Sequence, residues 1–323
     1  NGIGVATIMA TLSSNEIEHP PLEALFTIDE ETGMTGAKEM DGGLFSGEIL
    51  LNLDTEDDDE LSIGCAGGID TNTSYTCKSI VTPKDYSFLQ IDIKGLLGGH
   101  SGMDIDSGRG NANKWMARIL WNISKKSSLM IVSFDGGGLR NAIPREAKSI
   151  IAVPSVELTN VQAEIEQQAE VLHTEHKSIE TNIRITFAAA ESMPEVISKK
   201  DSNKIINTLC CVHNGVFRMS PDITGLVETS SSLARVLIEN NEFTTQSLQR
   251  SSVESTKEEI AMTIRCSFES MGCNVTQTGD YPGWQPNPNS DILTIMEQLY
   301  KDMFNEDPQV KACHAGLECG ILG

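Results

Sequence analysis

A chain of 323 residues with 39% apolar content is long enough for one or two packed cores, and no stretch reaches the ~20 apolar residues of a membrane span. Its 46 acidic and 24 basic side chains leave a formal charge of −22, which repels phosphate backbones and argues against nucleic acid or a membrane as partner. The eight cysteines form no Cys-x-x-Cys pair and several lie in apolar runs, the pattern of free thiols in a reducing cytoplasm.

In chain order, the patterning predicts a helix over 2–13 and a strand over 22–28 that runs into Asp29-Glu-Glu31. A Gly-rich turn with a short helix near 34–40 follows, then strands over 48–54 and 61–65, with Glu56-Asp-Asp-Asp-Glu60 as a solvated loop between them. Gly64, Gly67 and Gly68, followed by Thr71-Asn-Thr-Ser74, mark a domain boundary. The texture then changes. Tyr86–Lys94 alternates Phe88, Gln90 and Asp92 with Leu89, Ile91 and Ile93, the mark of a sheet with one solvated face. Strands are expected again at 129–134, 147–153, 181–190 and 243–249, and helices near 110–123, 160–176, 200–212 and 254–271. After Gly279 come a connector, Tyr281-Pro-Gly-Trp-Gln-Pro286, a helix over 290–304 and a strand over 310–314. The expected architecture is a discontinuous α/β domain, 1–72 and 281–323, interrupted by an inserted α+β domain, 73–280. The chain enters helix pattern without an initiator methionine and stops at Gly323 with no closing helix, so it reads as an internal fragment.

Four groups of residues could carry chemistry. Asp29, Glu30 and Glu31 end an apolar run; neighbours on a regular strand face opposite ways, so two converge only if the chain turns, as Gly33 would permit. Convergence would give a metal ligand beside a proton carrier; the alternative is acid enriched at a helix N-terminus. Asp54 closes the next apolar run and there needs a metal, an arginine or backbone N–H groups, or else simply caps a loop. His100, in Gly98-Gly-His-Ser-Gly102, is either a reachable imidazole or part of a flexible turn, and His314 sits in a similar setting before Ala-Gly-Leu-Glu-Cys319. The Gly-rich segment Gly136–Glu146 offers Arg140, Asn141 and Arg145 to a carboxylate, as any exposed turn would. His-Glu-x-x-His, Gly-x-Ser-x-Gly, P-loop and post-strand Gly-x-Gly-x-x-Gly motifs are absent.

Ten stretches, in order from end to end, resemble the aminoacyl-histidine dipeptidases of the di-zinc aminopeptidase, carboxypeptidase and aminoacylase superfamily. They are Asn1-Gly-Ile-Gly-Val-Ala, Phe26–Gly36, Leu51-Asn-Leu-Asp-Thr-Glu, Gly64-Cys-Ala-Gly-Gly, Gly98-Gly-His-Ser-Gly, Gly110-Asn-Ala-Asn-Lys, Arg140–Ala147, Gln249-Arg-Ser-Ser-Val, Tyr281–Pro286 and His314–Gly320. The resemblance implies a zinc-exopeptidase-like α/β catalytic domain around a lid or dimerisation domain, with homodimers formed through the insert. It implies Glu30 as general base, Glu31 and Asp54 as ligands of two Zn²⁺ (or Mn²⁺ or Co²⁺), and His100 as stabiliser of the oxyanion. It further implies Asn141 and Arg250 as grips on the substrate carboxylate, with His314 beside the substrate. The reaction implied is hydrolysis of small peptides, Xaa-His dipeptides such as β-Ala-His. Alternatives are a related tripeptidase or N-acyl-amino-acid deacylase, or a binding protein that has lost its metals. The family's remaining metal ligands fall outside this sequence, so the chain by itself is expected to bind zinc poorly and to be inactive.

Overall fold

The computed structural model describes residues 2–54 and 57–323, with the side chains of Glu31 and Thr32 outside that set. The expectations for Glu31 as a ligand and for Glu56 in the acidic loop therefore fall outside the described residues. The fold is mixed α/β, and the chain divides into Asn1–Gly67 with Tyr281–Gly323, and Gly68–Asp280.

Gly68–Asp280 is organised by a nine-stranded sheet. Across it run Asn274–Tyr281, Gly67–Thr76, Glu242–Ser251, Val227–Glu239, Met130–Gly136, Ala147–Pro154, Tyr86–Lys94 and Arg184–Ala189, with Gly215–Met219 also paired to Val227–Glu239. The alternation in Tyr86–Lys94 sorts as its pattern requires. Leu89, Ile91 and Ile93 enter one large core with residues of the helices Ala112–Lys126, Leu158–His176, Lys199–Cys211 and Glu254–Glu269, whereas Phe88 joins a small separate cluster. One face of the sheet is thus roofed by helices.

The Gly110-Asn-Ala-Asn-Lys stretch serves this packing. Asn111 caps the helix Ala112–Lys126, its side-chain oxygen accepting from the N–H groups of Asn113 (3.0 Å) and Lys114 (3.2 Å). Lys114 Nζ donates to the carbonyls of Leu209, Cys210 and Val212 at 2.6, 2.9 and 2.7 Å, closing the C-terminus of the helix Lys199–Cys211. Lys114→Met removes three charge-assisted bonds at once and is expected to cost about 3 kcal/mol of stability, read from urea unfolding.

The other unit differs from expectation. Its helix Gly2–Ser13 and its parallel pair Glu60–Cys65 with Gln309–Cys313 are present, but 22–28 and 48–54 form no strands. A strand exists only where a neighbour takes its N–H and C=O groups, and among the described residues of this unit the one ladder is that parallel pair. The apolar runs take no regular structure and are largely exposed, Ile28 at 73% and Leu51 at 56%. The two pieces of this unit are joined where backbone meets backbone. Cys65 and Trp284 exchange two N–H···O bonds of 2.9 Å, and a Cβ on Gly64 or Gly67 would come within 2.5 Å of Pro286 or of Gly283 and Tyr281. Only glycine permits that approach. All eight cysteines are free, with Cys211 and Cys266 exposed, and among the described residues no helix is long and apolar enough to cross a membrane.

Candidate active site

In the unit Asn1–Gly67 with Tyr281–Gly323, the chain reverses where the first acids stand. Asp29 adopts φ 62° and Met34 φ 55°, both left-handed, and between them Glu30–Gly33 makes a single helical turn. Thr35 Oγ1 donates to Asp29 Oδ2 at 2.5 Å, and the Met34 N–H donates to the Asp29 carbonyl at 2.8 Å. The glycine this turn requires is Gly36 rather than Gly33. A Cβ on Gly36 would meet Ile28 N at 2.7 Å and Ile28 O at 2.9 Å.

Beside the turn lies a cleft of about 580 Å³, lined by Asp29, Glu30, Asn52, Asp54 and Glu318 among apolar residues that include Phe26 and Leu53. Glu30 is half-buried there, and Asp54 is exposed. The structure thus brings Glu30 and Asp54 to one cleft, on a short helical turn and an irregular segment instead of strand ends. The Asp54 N–H donates to Asn52 Oδ1 at 3.0 Å. Glu318 was passed over in the sequence although its segment was singled out for His314. Its Oε2 accepts from Thr27 Oγ1 at 2.7 Å, tying the C-terminal segment to the strand-like run before Asp29. His314 itself is buried after the strand Gln309–Cys313 and is not among the cleft's lining residues. Carboxylate oxygens are suitable donors for a divalent cation. Among the described residues, however, no three His, Cys, Asp or Glu side chains are grouped to hold one.

In the unit Gly68–Asp280, His100 belongs to a two-residue ladder in which Gly99 faces Ile143 and His100 faces Ala142. Ser101 N–H donates to the Asn141 carbonyl at 2.8 Å, so His100 and Asn141 are held next to each other. Nδ1 of His100 accepts from the N–H groups of Gly102 (3.2 Å) and Met103 (3.0 Å). Backbone N–H groups only donate, so Nδ1 is unprotonated and the ring is the neutral tautomer with its proton on Nε2. Burial holds the imidazole below its usual pKa, and the Arg250 guanidinium reinforces this against the opposing Asp104 carboxylate. Arg250 is itself buried. Arg250 thus acts on the charge of His100, and the Asn141 backbone is bonded to the same loop.

The remaining cations of the Gly-rich segment are engaged in the fold. Arg140 Nη1 meets both Asp70 oxygens at 3.0 Å, and Arg145 Nε donates to the Leu96 carbonyl at 3.2 Å. Sequence reasoning missed the support of His100. Asp104 Oδ2 accepts the His100 N–H at 2.8 Å, Arg109 pairs with Asp104 at 2.8 Å, and Arg109 Nη1 donates to the Gly98 carbonyl at 2.7 Å. The signal was Asp104 and Arg109 within ten residues of the histidine, in a loop rich in glycine and serine.

Residues 91–180 match the peptidase dimerisation domain model of the M20 family. The whole chain aligns at 35% identity over 322 residues with the cytosol non-specific dipeptidase of Escherichia coli K12, covering 66% of that protein. It superposes on the crystal structure of aminoacylhistidine dipeptidase from Vibrio alginolyticus with a TM-score of 0.95 and 39% identity, covering all of this chain and 66% of that one. The chain thus spans just under two thirds of the length of either relative. Both relatives align over the full chain, and the dimerisation domain of the M20 peptidases is matched within it.

Proposed function

We propose that the protein carrying this chain is a metal-dependent dipeptidase of the cytoplasm, with Xaa-His dipeptides such as β-Ala-His as substrates. The observation that carries the reading is the cleft that gathers Glu30 and Asp54, in a chain whose full-length relatives are named as dipeptidases. Asp54 and Glu31 are assigned as this chain's metal ligands, to two Zn²⁺ or, with the same oxygen donors, Mn²⁺ or Co²⁺. The metal pair, when bound, supplies an acidified water and a Lewis acid for the peptide carbonyl.

Glu30 takes the proton of the attacking water and delivers it to the departing amine. His100 donates its Nε2–H to the oxyanion, a role for which a neutral, Nε2-protonated ring is already set. Asn141 and Arg250 hold the C-terminal carboxylate of the dipeptide, and His314, buried and off the cleft's lining, is assigned a place behind the substrate-side segment that carries Glu318. Asn1–Gly67 with Tyr281–Gly323 is assigned as the catalytic domain. Gly68–Asp280, which contains the matched dimerisation region, is assigned as the lid through which two copies pair.

A second reading, broad dipeptide specificity, is favoured by the Escherichia coli relative, whose name specifies no residue. Steady-state kcat/KM on β-Ala-His, Ala-Ala, Ala-Ala-Ala and N-acetyl-histidine separates the possibilities. The proposal expects β-Ala-His to be cleaved best and the last two poorly. Equal rates on both dipeptides would favour the broad reading, and preference for the tripeptide or the acyl amino acid would overturn the dipeptidase assignment.

A further inference from the structure

The loop bearing His100 runs from Leu97 to Gly110, and one side chain holds both of its ends. Glu180 is fully buried. Its Oε2 accepts the Leu97 N–H and its Oε1 the Gly110 N–H, each at 2.8 Å. A carboxylate with no solvent exposure is costly unless its oxygens are satisfied, and two charge-assisted bonds to separate N–H groups do this here. The clamp is itself anchored, since the N–H groups of Ile179 and Glu180 donate to the His176 carbonyl at 2.9 and 2.8 Å, where the helix Leu158–His176 ends. The far end of the loop has no slack. A Cβ on Gly110 would lie 2.4 Å from the Trp115 ring, and that ring packs on His176 with centroids 4.6 Å apart.

We propose that Glu180 is a positioning residue for His100: by clamping Leu97 and Gly110 it fixes the loop conformation in which the Gly102 and Met103 N–H groups hold Nδ1 and leave Nε2–H as the donor. An amide would not serve. Glutamine offers one acceptor oxygen and would set its NH₂ against the second backbone N–H. The structural coupling stands on the loop geometry alone, and only its effect on rate rests on the proposed role of His100.

The test is ¹⁵N-histidine NMR of the 323-residue chain, with the His100 signals assigned by their loss in His100→Gln. The wild type is expected to show a single Nε2-protonated tautomer that resists protonation below the usual histidine range. Glu180→Gln is expected to give a tautomer mixture with a titration midpoint moved up towards about 6.5. Glu180→Asp, which keeps the charge but shortens the reach, is read the same way should the glutamine variant fold poorly. Ile264→Ala, a buried change in the helix Glu254–Glu269, controls for lost stability and is expected to leave the His100 signals in place. An unchanged His100 tautomer and midpoint in the folded Glu180 variants, or equal disturbance by Ile264→Ala, would overturn the clamp. In a hydrolysing preparation, Glu180→Gln is expected to lower kcat roughly 10- to 100-fold with KM nearly constant. If the tautomer scrambles while neither Glu180→Gln nor His100→Ala slows hydrolysis, the clamp holds and the oxyanion role fails.

Discussion

Glu30→Gln is expected to lower kcat for dipeptide hydrolysis by about 10²–10⁴-fold, the usual contribution of a positioned general base, with KM and bound metal little changed. The substitution is isosteric, so the helical turn Glu30–Gly33 and the left-handed residues on either side of it have no reason to rearrange. Glu30 is half-buried at the edge of the cleft, where a carboxylate can reach a bound peptide and still exchange protons with solvent. Measuring kcat, KM and metal stoichiometry on one sample separates the two roles a carboxylate there could have. A variant that loses its metal along with its activity would make Glu30 a ligand, and one that keeps its activity would remove it from the chemistry.

His100→Ala is expected to lower kcat by about 10²–10³-fold, the cost of removing one oxyanion donor, because the ring's only mobile proton sits on Nε2. The pH dependence has a definite sign. The folded ring binds its proton at lower pH than the usual value, so the donor is neutral at pH 7 and is protonated only below about 6.5. Between the folded and unfolded values the unfolded chain binds more protons than the folded one. This histidine therefore contributes its full stability above about 6.5 and loses it as pH falls towards its folded value. An NMR titration of His100 with a midpoint above that of free histidine would contradict both the tautomer and the burial on which the assignment stands.

How far the sequence could be read depended on what fills the interior. Leu89, Ile91 and Ile93 announced their face by alternation, and the long helices by their apolar spacing. The strands Gly67–Thr76 and the first half of Val227–Glu239 are hard to read because many of their buried positions are polar. Thr71, Thr73 and Ser230 to Ser232 are all buried, and hydrogen bonding offsets much of the cost. Thr71 Oγ1 donates to Gln249 Oε1 at 2.6 Å, and Thr73 and Thr245 share a 2.7 Å bond. Apolar periodicity cannot register such strands. Thr71-Asn-Thr-Ser74, taken with the preceding glycines as marking a domain boundary, lies in mid-strand, in Gly67–Thr76.

The opposite error arose at 22–28 and 48–54. A run such as Ile49-Leu-Leu-Asn-Leu53 records a demand for burial but does not say whether a hydrogen-bonding neighbour is present, and among the described residues these segments pair with no strand. The acids at their ends could still be picked out, since Asp29, Glu30 and Asp54 all line one cleft. The support of those acids and of His100 could not. Gly36 acts by letting the chain pass close to Ile28, and Asp104 and Glu180 accept from backbone N–H groups, contacts that become visible only in the folded chain.

The most direct test is to strip the purified enzyme of metal, restore Zn²⁺, Mn²⁺ or Co²⁺ in turn, and follow free histidine released from β-Ala-His by ¹H NMR. Histidine should appear only in the metal-restored samples, and Asp54→Ala should abolish both metal retention and release. Release of histidine without metal, or full activity in Asp54→Ala, would contradict a metal-dependent peptidase centred on this cleft.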